Sequence, residues 1–115
     1  MKFKTEKNLR IMNELVAFFY NLGCTNIHID LSINNDISSI TIVGNIISIK
    51  DKDFESLKEA LYVPRQHEIE EYYWNLIGES ETGCHIPLVG MMIDKCNISF
   101  ENNILKLEIY RDNRD

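Results

Sequence analysis

The sequence predicts an α+β domain: a two-layer α/β sandwich with a mixed sheet of four to five strands and helices on one face. Three observations carry this expectation. A long amphipathic helix opens the chain, segments of strict apolar–polar alternation pair off around Asn-rich turns, and short helical patterns lie between the pairs. Helices grouped around hairpins, without regular βαβ alternation, favour segregated layers over a parallel sheet.

From about Lys4 to Leu22, Ile11, Leu15, Phe18 and Leu22 form one helical stripe, with Met12, Val16 and Phe19 beside it. Arg10, Asn13, Glu14, Ala17 and Asn21 line the more polar side, and Gly23 is placed to cap the C-terminus. Alternation then begins. Ile27, Ile29, Leu31 and Ile33 share one face of a strand, and His28, Asp30 and Ser32 the other. The turn Asn34-Asn35-Asp36 leads into a second strand from Ile37 to Val43, and Ile46 to Ile49 reads as a short further one. Asp51 or Asp53 is suited to cap a helix carrying Phe54, Leu57, Ala60 and Leu61. Pro64 ends it and can begin the next, where Ile69, Tyr72, Tyr73, Leu76 and Ile77 have helical spacing. A polar loop, Gly78 to Gly83, precedes a short helix with Pro87 in its first turn. Asn97 to Phe100 and Ile104 to Tyr110 form a closing hairpin about Glu101-Asn102-Asn103, and the final RDNRD reads as a charged, frayed tail.

Length and composition bound the function. The 115 residues, 44% hydrophobic and 26% charged, suit one domain spanning residues 1–115. No apolar run approaches the roughly 20 residues needed to cross a bilayer, and MKFKTEKNLR lacks the features of an export signal. The expectation is a cytoplasmic protein. A net charge of −6, with scattered Lys and Arg, argues against nucleic acid and anionic membranes as partners. Cys24, Cys84 and Cys96 are odd in number and form no CxxC motif, so they read as reduced thiols packed as small hydrophobes.

The local text resembles a known family. Glu14, then Leu22-Gly23, then Thr25 to Ile29 is similar to the first motif of the ATP-binding domain of sensor histidine kinases and the related gyrase-like ATPases. Ile40-Thr41-Ile42-Val43-Gly44-Asn45 resembles the strand that ends in that family's Asp-x-Gly motif. Gly83 to Asp94 resembles its glycine-rich loop and following helix, and Asn97 to Tyr110 its closing hairpin. The resemblance covers nearly the whole chain and implies an ATP and Mg²⁺ site built from Glu14, Phe18, Gly44, Asn45, Gly83, His85 and Pro87.

Most of those positions depart from the family pattern. Glu14 is retained, but Phe18 replaces the metal-binding asparagine, and a phenyl ring offers no oxygen to a hard cation. Gly44 stands where the adenine-binding aspartate is expected, with Asn45 after it and Ile46 at the motif's glycine. In the loop Gly83 survives, while His85 and Pro87 take the next two glycine positions, and proline has no N–H to donate. Each lost charge-assisted bond is worth about 1.5–3 kcal/mol, so ordinary ATP binding is expected to be abolished. Catalytic residues are therefore expected to be absent, with Glu14 the one retained candidate, and no cofactor is expected.

Other constellations read as structural. Cys84-His85 lacks an orienting third group, and Cys24, His28 and Asp30 match no zinc spacing. His67 is expected to be a solvated helix residue. Glu68, Glu70, Glu71, Glu79 and Glu81 form an acidic region expected to be a solvated face or a docking surface, beside the consecutive rings Tyr72, Tyr73 and Trp74. The expected function is a histidine-kinase-like domain without its nucleotide site, acting as a regulatory or protein-interaction module in bacterial signalling with a protein partner. The alternatives are a working ATPase or kinase domain with an unusual site, and an unrelated small α+β interaction protein.

Overall fold

A computed structural model describes residues 4–76 and 86–114, with backbone alone for 73–76. Helix α1 (Lys4–Asn21) leads through Gly23, at φ 89°, into strands β1 (Ile27–Asn34) and β2 (Ile37–Asn45). Helices α2 (Asp51–Leu61), α3 (His67–Leu76) and α4 (Ile86–Met92) follow, then β3 (Lys95–Glu101) and β4 (Ile104–Asp112). The strands form one sheet in the order β1-β2-β4-β3, with helices on one face, giving the expected α+β two-layer sandwich. Every pairing is antiparallel rather than mixed, because each neighbour pair is either a hairpin or the β2–β4 junction between hairpins. The segment 46–49 forms no strand; Ile46 instead donates its N–H to Asn103 O at 2.9 Å and is buried between the hairpin ends.

Both hairpins close on two-residue turns, Asn35-Asp36 and Asn102-Asn103. Asn35, Asn102 and Asn103 have positive φ, a conformation that asparagine tolerates better than most residues. The inward faces of β2 and β4 carry Ile40, Ile42, Leu105, Leu107 and Ile109, all buried against Ile11, Leu15 and Phe19 of α1. Leu57, Leu61, Leu88, Val89, Met92 and Ile93 extend this core outward. Close α2–α4 contact depends on Gly90, where a Cβ would lie 1.9 Å from Ala60 O.

Four further expectations are corrected. Ile27, Ile29 and Leu31, whose shared apolar face is expected to be buried beneath the helices, are not fully covered: Leu31 is 37% exposed and Ile27 and Ile29 half-buried, because β1 is an edge strand only partly roofed by α1. Neither Asp51 nor Asp53 caps α2: the N-cap is Lys50, without a side-chain cap bond, and the two carboxylates instead lie in the first turn, where they favour the helix dipole. Pro64 lies between α2 and α3 rather than opening α3, which starts at His67. The tail is not frayed through Asn113, since Arg111 and Asn113 are buried.

Candidate functional site

The expected nucleotide-site residues are dispersed. Glu14 is buried on α1, where Arg10 Nε donates to its Oε2 at 2.8 Å. Arg10 and Glu14 were expected on the polar side; their mutual ion pair allows both to be buried. Gly44 is buried on β2 beneath α1. A Cβ there would meet Cys24 Sγ at 2.4 Å and Phe19 Cδ2 at 2.8 Å, so the ring and thiol fill the space an aspartate would need. Asn45, one residue on, is exposed and lines a separate cleft with Gly23, Thr25, Ile46, Asn102 and Asn103. Gly83 and His85 lie outside the described residues, as do Cys84, Glu79 and Glu81.

Two of the expected residues do meet. Phe18 is half-buried, packs edge-on against Phe19 with ring centroids 6.4 Å apart, and shares a cavity of about 360 Å³ with Pro87. Leu22, Leu57, Ala60 and Ile86 make the cavity apolar, and Asn21, Asp53 and Ser56 supply its polar groups. None of its described lining residues is Lys or Arg, and Asp53 would repel a phosphate. Pro87 has no N–H to offer one. The atoms nearest a Cβ at Gly44 belong to Cys24 and Phe19, not to Phe18.

A second constellation escaped sequence reasoning. At the opposite end of α1, Lys7, Glu70 and Arg111 are buried together. Lys7 Nζ donates to Glu70 Oε2 at 2.9 Å and also pairs with Glu71. Arg111 grips Glu70 with Nη1 at 3.2 Å and Nη2 at 2.9 Å, and donates to Met92 O at 2.5 Å. Arg65 places Nε 3.3 Å from Glu70 Oε1 and donates through Nη1 to Asp94 and to Asp112 O. Around this core, Asn113 bridges Asn8, Arg111 and Ser38. Glu70 is thus no part of a solvated acidic face, although Glu68 and Glu71 are exposed.

Burial alone would push the Glu70 carboxyl up, but Arg111, Lys7 and Arg65 outweigh it and hold the group below its ordinary value. The three cations therefore face a carboxylate already committed to them, and the cluster ties α1, α3 and β4 together. Its chemistry is structural. Cys24 and Cys96 are buried as expected, and burial pushes the Cys96 thiol up to about 12, so it is inert as a nucleophile. His28 and His67 are exposed. No group of metal-ligating side chains occurs among the described residues, and no helix there is long and apolar enough to cross a membrane.

The chain matches no protein-family model and no curated protein sequence.

Proposed function

We propose that this chain is a histidine-kinase-type ATP-binding scaffold that has lost its nucleotide site and serves as a non-catalytic regulatory or protein-interaction module in bacterial signalling. The observation that carries the reading is the closure over Gly44, where Phe19 and Cys24 leave no room even for a Cβ at the position of the expected adenine-binding aspartate. The element order supports the resemblance, as does the union of both hairpins in one sheet beneath α1. Loss of chemistry is supported by Glu14, which is buried against Arg10, and by Phe18 and Pro87, which line an apolar cavity lacking a described cation.

Calorimetric titration with Mg-ATP and with ADP tests this. The expected result is no heat of binding and no change in melting temperature, because a ligand stabilises only by binding the native state. A saturable response would instead establish the working-site alternative.

A second reading is favoured by one observation: the sheet is antiparallel throughout, where the element order predicts a mixed one, so element order alone does not single out that family. An unrelated small α+β interaction protein would share the absence of nucleotide chemistry. Titration against the dimerisation-helix domain of a histidine kinase separates the two, since a scaffold of that family would dock there and an unrelated protein would not.

A further inference from the structure

The two edges of the sheet are treated differently. In a two-residue hairpin the residues closing the turn exchange both backbone bonds, and bonding alternates from there. On β3 this turns Cys96, Ile98 and Phe100 outward, and the Ile98 N–H is met by Tyr62 Oη at 3.2 Å. Tyr62 follows the last turn of α2, so a side chain from another element blunts that edge, and Lys95 and Glu101 stand at its ends. On β1 the same parity turns Ile27, Ile29, Leu31 and Ile33 outward. Among the described residues nothing bonds to that outer edge. The strand pairs with β2 over eight consecutive residues without a bulge, and contains no Pro, Gly, Lys or Arg. Among the described residues no lysine, proline, bulge or bonded neighbour guards that edge, and Asp30 is its one acidic side chain.

The edge is also apolar. Leu31 and Ile33, 37% and 50% exposed, stand on the helix-bearing face of β1. Helix α1 lies over β1 and β2, and Leu9, at 54% exposed, is the uncovered end of its Leu9–Met12–Val16 stripe. We propose that a second copy of this chain adds antiparallel to the outer edge of β1 across a two-fold axis at Ile29, joining two four-stranded sheets into one of eight.

The sequence of β1 selects both the partner and the register. Outward-facing residues must pair with outward-facing residues, which restricts the axis to Ile29, Asp30 or Leu31 near the middle of the strand. An axis at Asp30 sets two carboxylates directly opposite each other, which is unfavourable. One at Leu31 places Asp30 opposite Ser32. With the axis at Ile29, His28 of each copy faces Asp30 of the other, twice, in the close non-hydrogen-bonded pairs of the ladder. Ile27 then lies opposite Leu31 on the face bearing the helices. A strand that carries its own complementary pair at i and i+2 is self-complementary, and this identifies a second copy rather than a foreign peptide. The inference is independent of the nucleotide reading.

Sedimentation equilibrium over a concentration series, with amide exchange read residue by residue, tests the proposal. The expected result is a monomer–dimer equilibrium, with concentration-dependent protection at Ile29 and Leu31 and none gained at Ile98. Leu31→Lys puts an edge-blocking charge at an already exposed position and should weaken dimerisation about tenfold or more. Far-UV circular dichroism checks that this variant stays folded. His28→Asp and Asp30→His should each weaken the dimer about threefold to tenfold, while the double variant restores it. A chain monomeric at every concentration would overturn the proposal. So would a dimer indifferent to Leu31→Lys, or one leaving Ile29 and Leu31 unprotected. Failure of the double variant to restore association would overturn the Ile29 register.

Discussion

Helix α1 meets the sheet with a different chemistry at each end. Near its C-terminus Phe19 lies on Gly44, and the contact is dry and so close that a Cβ cannot enter. Near its N-terminus Lys7 donates to Glu70, which Arg111 also grips, and Asn8 donates to Asn113, which in turn donates to Ser38. Between them the sheet rows change from Ser38–Arg111 through Ile40–Ile109 and Ile42–Leu107 to Gly44–Leu105. The dry end specifies shape and the ionic end specifies partners. Packing tolerates no added volume at the first, and charge tolerates no missing member at the second.

The ionic end should break more completely. Glu70→Gln removes the anion shared by Lys7, Arg65 and Arg111, two of which have no exposure at all. Lys7 keeps Glu71, Arg65 keeps Asp94, and Arg111 keeps Met92 O and Asn113. Taking the shared anion out of a buried ion cluster still costs about 3–5 kcal/mol, a large share of the about 5–15 kcal/mol available to a native domain. Urea unfolding would read this as a lower midpoint with an unchanged slope; a midpoint within error of wild type would show that the cluster is ornamental.

The same carboxylate sets an acid limit. Its folded-state pKa lies below the ordinary value of 4.5, so the unfolded chain takes up the proton first as pH falls. The contribution of Glu70 to stability is therefore complete above about pH 5, declines as pH falls through 4.5, and is gone below the lowered folded value. Denaturant melts of wild type against Glu70→Gln should converge as the pH is lowered. Parallel curves would mean that Glu70 does not hold its proton off in the folded state.

At the dry end the test is an added methyl. Gly44→Ala forces Phe19 and Cys24 to shift, and overpacking of this kind costs about 1–3 kcal/mol. Gly44→Asp would bury a carboxylate in the same place and should destabilise further without conferring Mg-ATP binding. A stable Gly44→Asp variant that binds nucleotide would reverse the proposed function.

How much of this was legible follows from what one-dimensional patterns encode. Alternation through Ile27–Ile33 and Ile104–Tyr110, and the asparagines at both turns, placed the hairpins, because period and turn chemistry are local. The dry end was half legible: Gly44 was singled out, but a glycine does not announce which neighbour fills its space, and Phe19 rather than Phe18 does so. The ionic end was missed although its signal was present. Arg111 and Asn113 continue the inward parity of Leu105, Leu107 and Ile109, and Lys7 sits four residues before Ile11 on the buried stripe. Residue type and position conflict at these sites. A charge in an apolar parity marks a buried partner elsewhere, and that partner, Glu70, lies 63 residues from Lys7, beyond any local pattern.

The smallest expected effect is at Phe18, and it sharpens the boundary of the dry end. Its ring is half-buried, touches Phe19 edge-on and lines the cavity with Pro87, so it contributes less than a fully enclosed phenyl group. Phe18→Asn removes that contact and part of the apolar lining, while the new amide can still reach solvent through the cavity. A loss of about 1–2 kcal/mol follows from partial burial and one aromatic pair, against the about 3–5 kcal/mol of a core phenylalanine truncation. Placing at position 18 the asparagine that the resemblance implies should not confer Mg-ATP binding. Gly44 stays covered by Phe19, Asp53 remains in the lining, and Pro87 still lacks a donor. Denaturant melts and nucleotide titration on the same variant read both outcomes. A loss as large as that of Glu70→Gln would place Phe18 inside the core rather than at its margin. Recovered nucleotide binding would show that one side chain had masked a competent site, and that the closure over Gly44 is not what excludes ATP.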